Sequence, residues 1–335
     1  MAKGIFKEEK KIMNDKYDSF TKVGSFRKNG FIIIPGVLHN RDVDSKRDLL
    51  NNIMRTMPKE KRMLVLSDIF GNNNLLDFLI EVQCNNKIVS ILSQIFENEF
   101  YYINDSQIQC NMFGINPDSW HTDSASEKNL SSGDYLHFPD YSFGKVGVYL
   151  QDNTINFGGG IDVIPKSHKI YKYFKGNKLL QYFYAELVAK ILRYKVGKIK
   201  LTVPVKAGDA IFFDSRTIHR SSVPQSIKSE MNKSEKDAQR VSSLNIKPKN
   251  SKYALYWDVG SKEDSVRFLR NSCKRAMMEE IVYVDNIKEL FYTDYLQYTY
   301  PDDYPSKYKK NVNKFPQLNI RSLDKIRSKL FKSLF

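Results

Sequence analysis

The 335-residue chain is predicted to be a mainly β protein, a sandwich or barrel with helical regions before and after it. Three observations carry that expectation. Short runs rich in β-branched and aromatic residues crowd positions 99–260, separated by clusters of Gly, Asn, Asp and Pro. On either side of that region, apolar residues recur at helical spacing instead. A hydrophobic content of 41% and an aromatic content of 13% are enough for a sizeable core in a chain of this length.

Residues 1–98 read as mainly helical with one early strand. Gly30 to Leu38 is a short apolar, β-branched run bounded by Gly and Pro, a strand with a turn behind it. Leu75, Leu76, Phe78, Leu79 and Val82 predict one amphipathic helix, and Ile88, Ile91, Leu92 and Ile95 a second, flanking Cys84. Strands are then expected over Phe100–Ile103, Gln107–Phe113, Val146–Leu150, Ile161–Ile164, Leu201–Val205, Ala210–Phe213 and Tyr253–Trp257. A helical insert interrupts them at 169–199. A polar insert at 225–252 reads either as a solvated surface segment or as a lid. After Gly260 the chain returns to helix, and Leu318, Leu323, Ile326, Leu330 and Leu334 form an apolar stripe among basic residues. The whole is read as one domain, with a core at 99–260 between regions 1–98 and 261–335.

Composition narrows the function. No apolar run approaches the roughly 20 residues of a membrane span, and the charged start (Met1 to Lys11) does not look like a secretory signal. Three cysteines, Cys84, Cys110 and Cys273, are widely spaced without a CxxC pair, which fits a reducing, cytoplasmic setting rather than a disulfide scaffold. The net charge of +15 suits an anionic partner, whether a small substrate, a membrane surface or nucleic acid. Nine of the basic residues, Lys307 to Lys332, lie after Pro305 against a single acid, Asp324. The basic stripe at 318–334 would suit a helix lying on a membrane surface, but a helix packed on the barrel with a solvated basic face is the preferred reading. Nucleic-acid binding is not favoured, and the oligomeric state is not readable.

The chemistry is carried by Trp120-His121-Thr122-Asp123 together with His219. On a strand, the His and Asp of His-X-Asp point to the same face, because side chains alternate with a period of two. A distant histidine can then complete a site of two imidazoles and one carboxylate, the facial set that holds non-heme Fe(II) and leaves positions open. The other histidines read differently: His39 and His137 as surface residues in polar loops, and His168 as a hydrogen-bonded structural residue.

Three blocks in order resemble the phytanoyl-CoA dioxygenase-like branch of the Fe(II)/2-oxoglutarate oxygenases. They are Trp120–Asp123, then Gly158 to Lys169 with Ile164-Pro165-Lys166-Ser167-His168 (Lys166 standing where the family usually has Gly), and Gly208 to Phe213 leading into His219. The resemblance covers roughly 99–260. It implies a double-stranded β-helix, with Fe(II) held by His121, Asp123 and His219, and 2-oxoglutarate and O₂ consumed to give succinate and CO₂. A carboxylate at Asp123 argues for hydroxylation, or a related desaturation or ring closure, over halogenation.

The distal carboxylate of 2-oxoglutarate needs a buried cation. The family places an Arg about ten residues after the distal His, but Ser229 stands there in this chain. Lys252 and Arg240 compete for the role, Lys252 slightly ahead, and Arg220 ranks third because it alternates away from His219. Ser221 fits the accompanying serine. Gln109 and Asn111, on one face of a strand with Gln107, read either as co-substrate contacts or as partners for loops. Trp120, Tyr149 and Gln151 are candidates for lining the substrate pocket. The alternatives to a hydroxylase of a small metabolite, for which the positive charge favours an acidic one, are a metal-binding barrel without oxygenase activity and a basic protein that binds nucleic acid or a membrane surface.

Overall fold

The computed structural model describes residues 17–57, 63–64, 69, 72–97, 100–111, 120–123, 142–154, 158–169, 200–223, 251–261 and 264. The inserts after 169 and 223, His137, Arg240 and the basic C-terminal region lie outside the described residues. In chain order come helix α1 (Val23–Asn29), strand β1 (Phe31–Ile34), helix α2 (Asn40–Thr56), strand β2 (Met63–Leu64), and helices α3 (Asn73–Gln83) and α4 (Asn86–Ile95). Strands β3 (Tyr101–Cys110), β4 (Phe143–Tyr149), β5 (Ile161–Val163), β6 (Leu201–Thr202), β7 (Ala210–Asp214), β8 (His219–Ser221) and β9 (Tyr253–Gly260) follow.

The strands form two antiparallel sheets, one of six in the order β1-β7-β4-β9-β3-β2 and one of three in the order β6-β5-β8. A period of two sorts the strand residues into two cores. Ile32, Ile34, Val146, Val148, Phe212, Leu255, Trp257 and Val259 face outward and pack with Leu75, Leu79, Ile88 and Leu92 of α3 and α4. Phe31, Ile33, Tyr149, Ile211, Phe213, Ala254 and Tyr256 face inward and meet Ile161 and Val163 of the small sheet. Both faces of the large sheet are therefore dry. That is why β9 is buried along its whole length and reads as a nearly continuous apolar run. Two sheets closed around a shared interior, with helices outside, form the double-stranded β-helix.

Helices α3 and α4 begin where asparagine side chains cap them. Asn72 accepts hydrogen bonds from the Asn74 and Leu75 amides, and Asn85 accepts one from the Lys87 amide. The Asn85 side chain also donates to the Val37 carbonyl, which ties α4 to the exit from β1. Two expectations shift in detail. The strands expected at 100–103 and 107–113 form one strand, β3, with a register irregularity between Ile103 and Gln107. The short strand β2 joins the edge of the large sheet beside Ile108 and Gln109, although Met63-Leu64 is too brief to give a periodic signal.

Candidate metal centre

The turn from β7 to β8 builds the site. Asp214 and Arg216 are both buried and pair in two-pronged fashion, Arg216 Nε to Asp214 Oδ1 at 2.9 Å and Nη2 to Oδ2 at 2.6 Å. The Thr217 amide closes the turn on the Asp214 carbonyl, and the Thr217 hydroxyl donates to the Gly30 carbonyl. This turn then positions two candidate metal-binding side chains at once. The Asp123 amide donates to the Ser215 carbonyl at 2.9 Å, and His121 and His219 exchange backbone hydrogen bonds of 3.0 and 2.9 Å. His121 is held by this single bridge to His219 rather than inside a longer described strand, and the bridge alone brings the two rings within 4.4 Å.

The donor atoms converge. His121, Asp123 and His219 each offer one atom, all within 4.8 Å of one another, and both imidazole Nε2 atoms lie 3.6 Å from Asp123 Oδ1. Two ligands about 2.1 Å from one ion at a right angle would be about 3 Å apart, so small side-chain rotations suffice to close the set on one metal. His219 is in the correct tautomer for this. Its Nδ1 faces the Thr217 carbonyl at 2.9 Å, so Nδ1 carries the proton and Nε2 keeps its lone pair. Burial pushes His219 down to about 4, against the pull of Asp123, so the ring is neutral at pH 7. Burial opposes ionisation of Asp123, but Lys145 and the two imidazoles outweigh it and hold that carboxyl at about 2. The residues present fit a divalent metal. Side-chain exposure of 49% at His121, against 14% at Asp123 and 8% at His219, shows that the centre opens on the His121 side.

The phytanoyl-CoA dioxygenase (PhyH) family matches residues 26–229, which include His121, Asp123 and His219 and the Gly158–Lys169 block. The chain belongs to the phytanoyl-CoA dioxygenase family. No curated protein matches it. Among solved structures it is similar to the non-heme alpha ketoglutarate dependent epimerase SnoN from nogalamycin biosynthesis, at 13% identity over 74% of this chain and 84% of that one, with a TM-score of 0.42. It is also similar to the carbocyclase SnoK of the same biosynthesis, at 15% identity over 71% and 82% of the two chains and a TM-score of 0.45. HygX from Streptomyces hygroscopicus, with nickel and 2-oxoglutarate bound, is 13% identical over 71% and 84%, with a TM-score of 0.44.

The other residues singled out in this dioxygenase-family chain divide by what they touch. Lys252 is buried and precedes β9 in phase with its inward residues Ala254, Tyr256 and Asp258, with Nζ 3.5 Å from the Gly160 carbonyl. Burial pulls its ammonium down to about 7, partly offset by Asp162. Ser221 pairs with inward-facing Ile161 and so shares the His219 face. Gln107 and Gln109 pair with Tyr256 and Ala254 and face the interior too. Asn111 takes the left-handed conformation (φ 52°) and its side-chain oxygen accepts from the Lys252 amide at 2.7 Å, so its amide clamps the start of β9. Gln151 does similar work, accepting from the Tyr253 amide at 2.7 Å and donating to the Gly159 carbonyl. Tyr149 is fully buried, its hydroxyl 3.1 Å from that of Tyr256. Trp120 packs on Ile164 and Ile218 under the Arg220 guanidinium, 4.7 Å from the ring centre. Arg220 points away from the ligands and meets Asp162 at 3.3 Å. His168 is buried against Gly30 and hydrogen-bonds the Arg27 backbone, and His39 is exposed at the start of α2.

Sequence reasoning missed Lys145 and Asp258. Lys145 Nζ lies 3.4 Å from Asp123 Oδ2 and 3.8 Å from Asp258 Oδ1. The available signal was a charge in each of two strands whose neighbours are otherwise apolar, Phe143–Leu150 and Tyr253–Val259. A charge there must face a partner in the interior.

Proposed function

We propose that the protein is an Fe(II)- and 2-oxoglutarate-dependent dioxygenase that hydroxylates an aliphatic carbon of a small metabolite. The observation that carries this reading is the convergence of two imidazoles and a carboxylate in a family of such oxygenases. Bound iron and 2-oxoglutarate would supply the oxidising chemistry, in which O₂, 2-oxoglutarate and R–H give succinate, CO₂ and R–OH. The protein's own residues bind, orient and exclude water.

His121, Asp123 and His219 are the metal ligands in this proposal. Asp123 fills the position that a halide would need, which favours hydroxylation over halogenation. Lys252 supplies the cation for the distal carboxylate of 2-oxoglutarate, with Ser221 on the same inward face. A lysine that burial has pushed to about 7 gains most from an anion, because the carboxylate restores the partner its charged form lacks. Gln109 is placed to contact the co-substrate, while Asn111 and Gln151 keep the start of β9, and so Lys252, in place. Tyr149 and Trp120 line or back the pocket. The surplus of positive charge favours an acidic substrate.

The test is anaerobic titration of the metal-free protein with Fe(II) and then 2-oxoglutarate, followed by succinate release in air. A weak visible band that needs both additions, and is absent in His121→Ala, is the expected result. Tight metal binding without that band or succinate would leave a metal-binding barrel without oxygenase activity.

A further inference from the structure

We infer that Lys145, held by Asp258, is a positioning residue that keeps Asp123 a one-oxygen metal ligand. The inference rests on the proposed metal site and assigns a role to a residue outside the ligand set. The two Asp123 oxygens face different groups. Oδ1 is the atom 3.6 Å from both imidazole Nε2 atoms, and Oδ2 is the atom 3.4 Å from the Lys145 ammonium.

The strand register produces this division. In β4 and its neighbours, Lys145 pairs with Phe213 on one side and with Asp258 on the other, so all three share the inward face. The Lys145 side chain is 15% exposed and that of Asp258 2%, so both charges are largely out of water. Asp258 Oδ1, 3.8 Å from Nζ, is a second carboxylate partner for the ammonium.

The chemistry follows from charge. A carboxylate can bind a metal through one oxygen or both. Binding through both would bring a dication against the same oxygen that faces an ammonium, in a poorly solvated interior where like charges repel strongly. Lys145 therefore reserves Oδ2 and leaves the metal with Oδ1 alone. A second Asp123 oxygen on the metal would take a position that the co-substrate or O₂ needs. Asp258 neutralises the added lysine, so that the site keeps its net attraction for a cation.

The experiment counts water on Mn(II) bound to the full-length protein, from water-proton relaxation and from line broadening in ¹⁷O-enriched water. Neither readout depends on turnover. The variants are Asp258→Asn and the pair Lys145→Met with Asp258→Asn, which removes both buried charges together and so limits the folding penalty. The wild-type protein and Asp258→Asn are expected to hold about three exchangeable waters, and the double variant about two. The double variant should also bind 2-oxoglutarate roughly tenfold more weakly, since one of its positions is taken. Equal counts in wild type and double variant overturn the role. If the double variant does not fold, the wild-type count decides: about two waters there already rejects the role. Failure of the wild-type protein to bind Mn(II) at all overturns the metal site and this role together, which separates the two claims.

Discussion

Single residues set the charge states on which this centre depends, and Lys252 offers the sharpest handle. Its ordinary value is lowered to about 7 by burial. If the charged form receives 2-oxoglutarate, then above pH 7 the protein must take up a proton to bind it, and below pH 7 it need not. Affinity for 2-oxoglutarate in the metal-loaded protein is therefore expected to fall by up to about tenfold per pH unit above 7. Lys252→Arg should flatten that dependence because guanidinium does not titrate in this range. A flat profile in the wild-type protein would remove Lys252 from the co-substrate site. A second residue-scale effect lies at Lys166, which occupies the left-handed region (φ 69°) where the family usually has Gly. Lys166→Gly should stabilise the fold by about 1 kcal/mol, a rise of about 2–4 °C in Tm, because a side chain in that conformation costs about that much.

Among the elements, the junction of β4 with β9 is closely packed at Gly147. Gly147 pairs with Tyr256 and lies beside its ring, and a Cβ added there would come 2.6 Å from Tyr256 Cε1 and 3.3 Å from the Tyr149 hydroxyl. Gly147→Ala must push Tyr256 away from Tyr149 and loosen the wall beneath the metal. The expected cost is about 1–3 kcal/mol, read by chemical denaturation, together with weaker 2-oxoglutarate binding. Unchanged stability would mean that β4 and β9 can separate locally without loss. The β7–β8 turn is the other demanding element, because its Ser215 and Thr217 carbonyls hold Asp123 and the His219 ring.

For the whole molecule, pH-dependent stability and metal binding meet at His219. Burial lowers both His168 and His219 from the usual 6.5 to about 4. Between those values the unfolded chain takes up protons that the folded chain refuses. The histidine contribution is therefore complete above pH 6.5 and is lost as pH falls towards 4. The metal-free protein should lose Tm over that window, and less so in His168→Gln. Metal has the opposite effect, since it binds the folded state alone. At about 100 times its Kd it should add about 2.7 kcal/mol, seen as a rise in Tm that Asp123→Ala abolishes. A metal-independent Tm in the wild-type protein would argue that the three ligands do not act together.

Much of this was legible in the sequence. The helices around Leu75–Val82 and Ile88–Ile95 and the strand at Phe31–Ile34 followed from local periodicity, which one stretch of chain is enough to express. The joining of His121-X-Asp123 with His219 followed from three ordered blocks that resemble the family. Lys145 and Asp258 did not follow, because they lie over 100 positions apart and acquire meaning only when β4 and β9 pair in register. Asn111 read either as a co-substrate contact or as a partner for a loop, and Gln151 as a candidate for the pocket. The side-chain oxygen of each accepts from the backbone at the start of β9, a partner that sequence spacing does not reveal. The sequence by itself determined the class of barrel and which three side chains, His121, Asp123 and His219, converge in it. Only the tertiary structure decided how the charges divide around Asp123, since that division depends on antiparallel register and on burial in a closed interior.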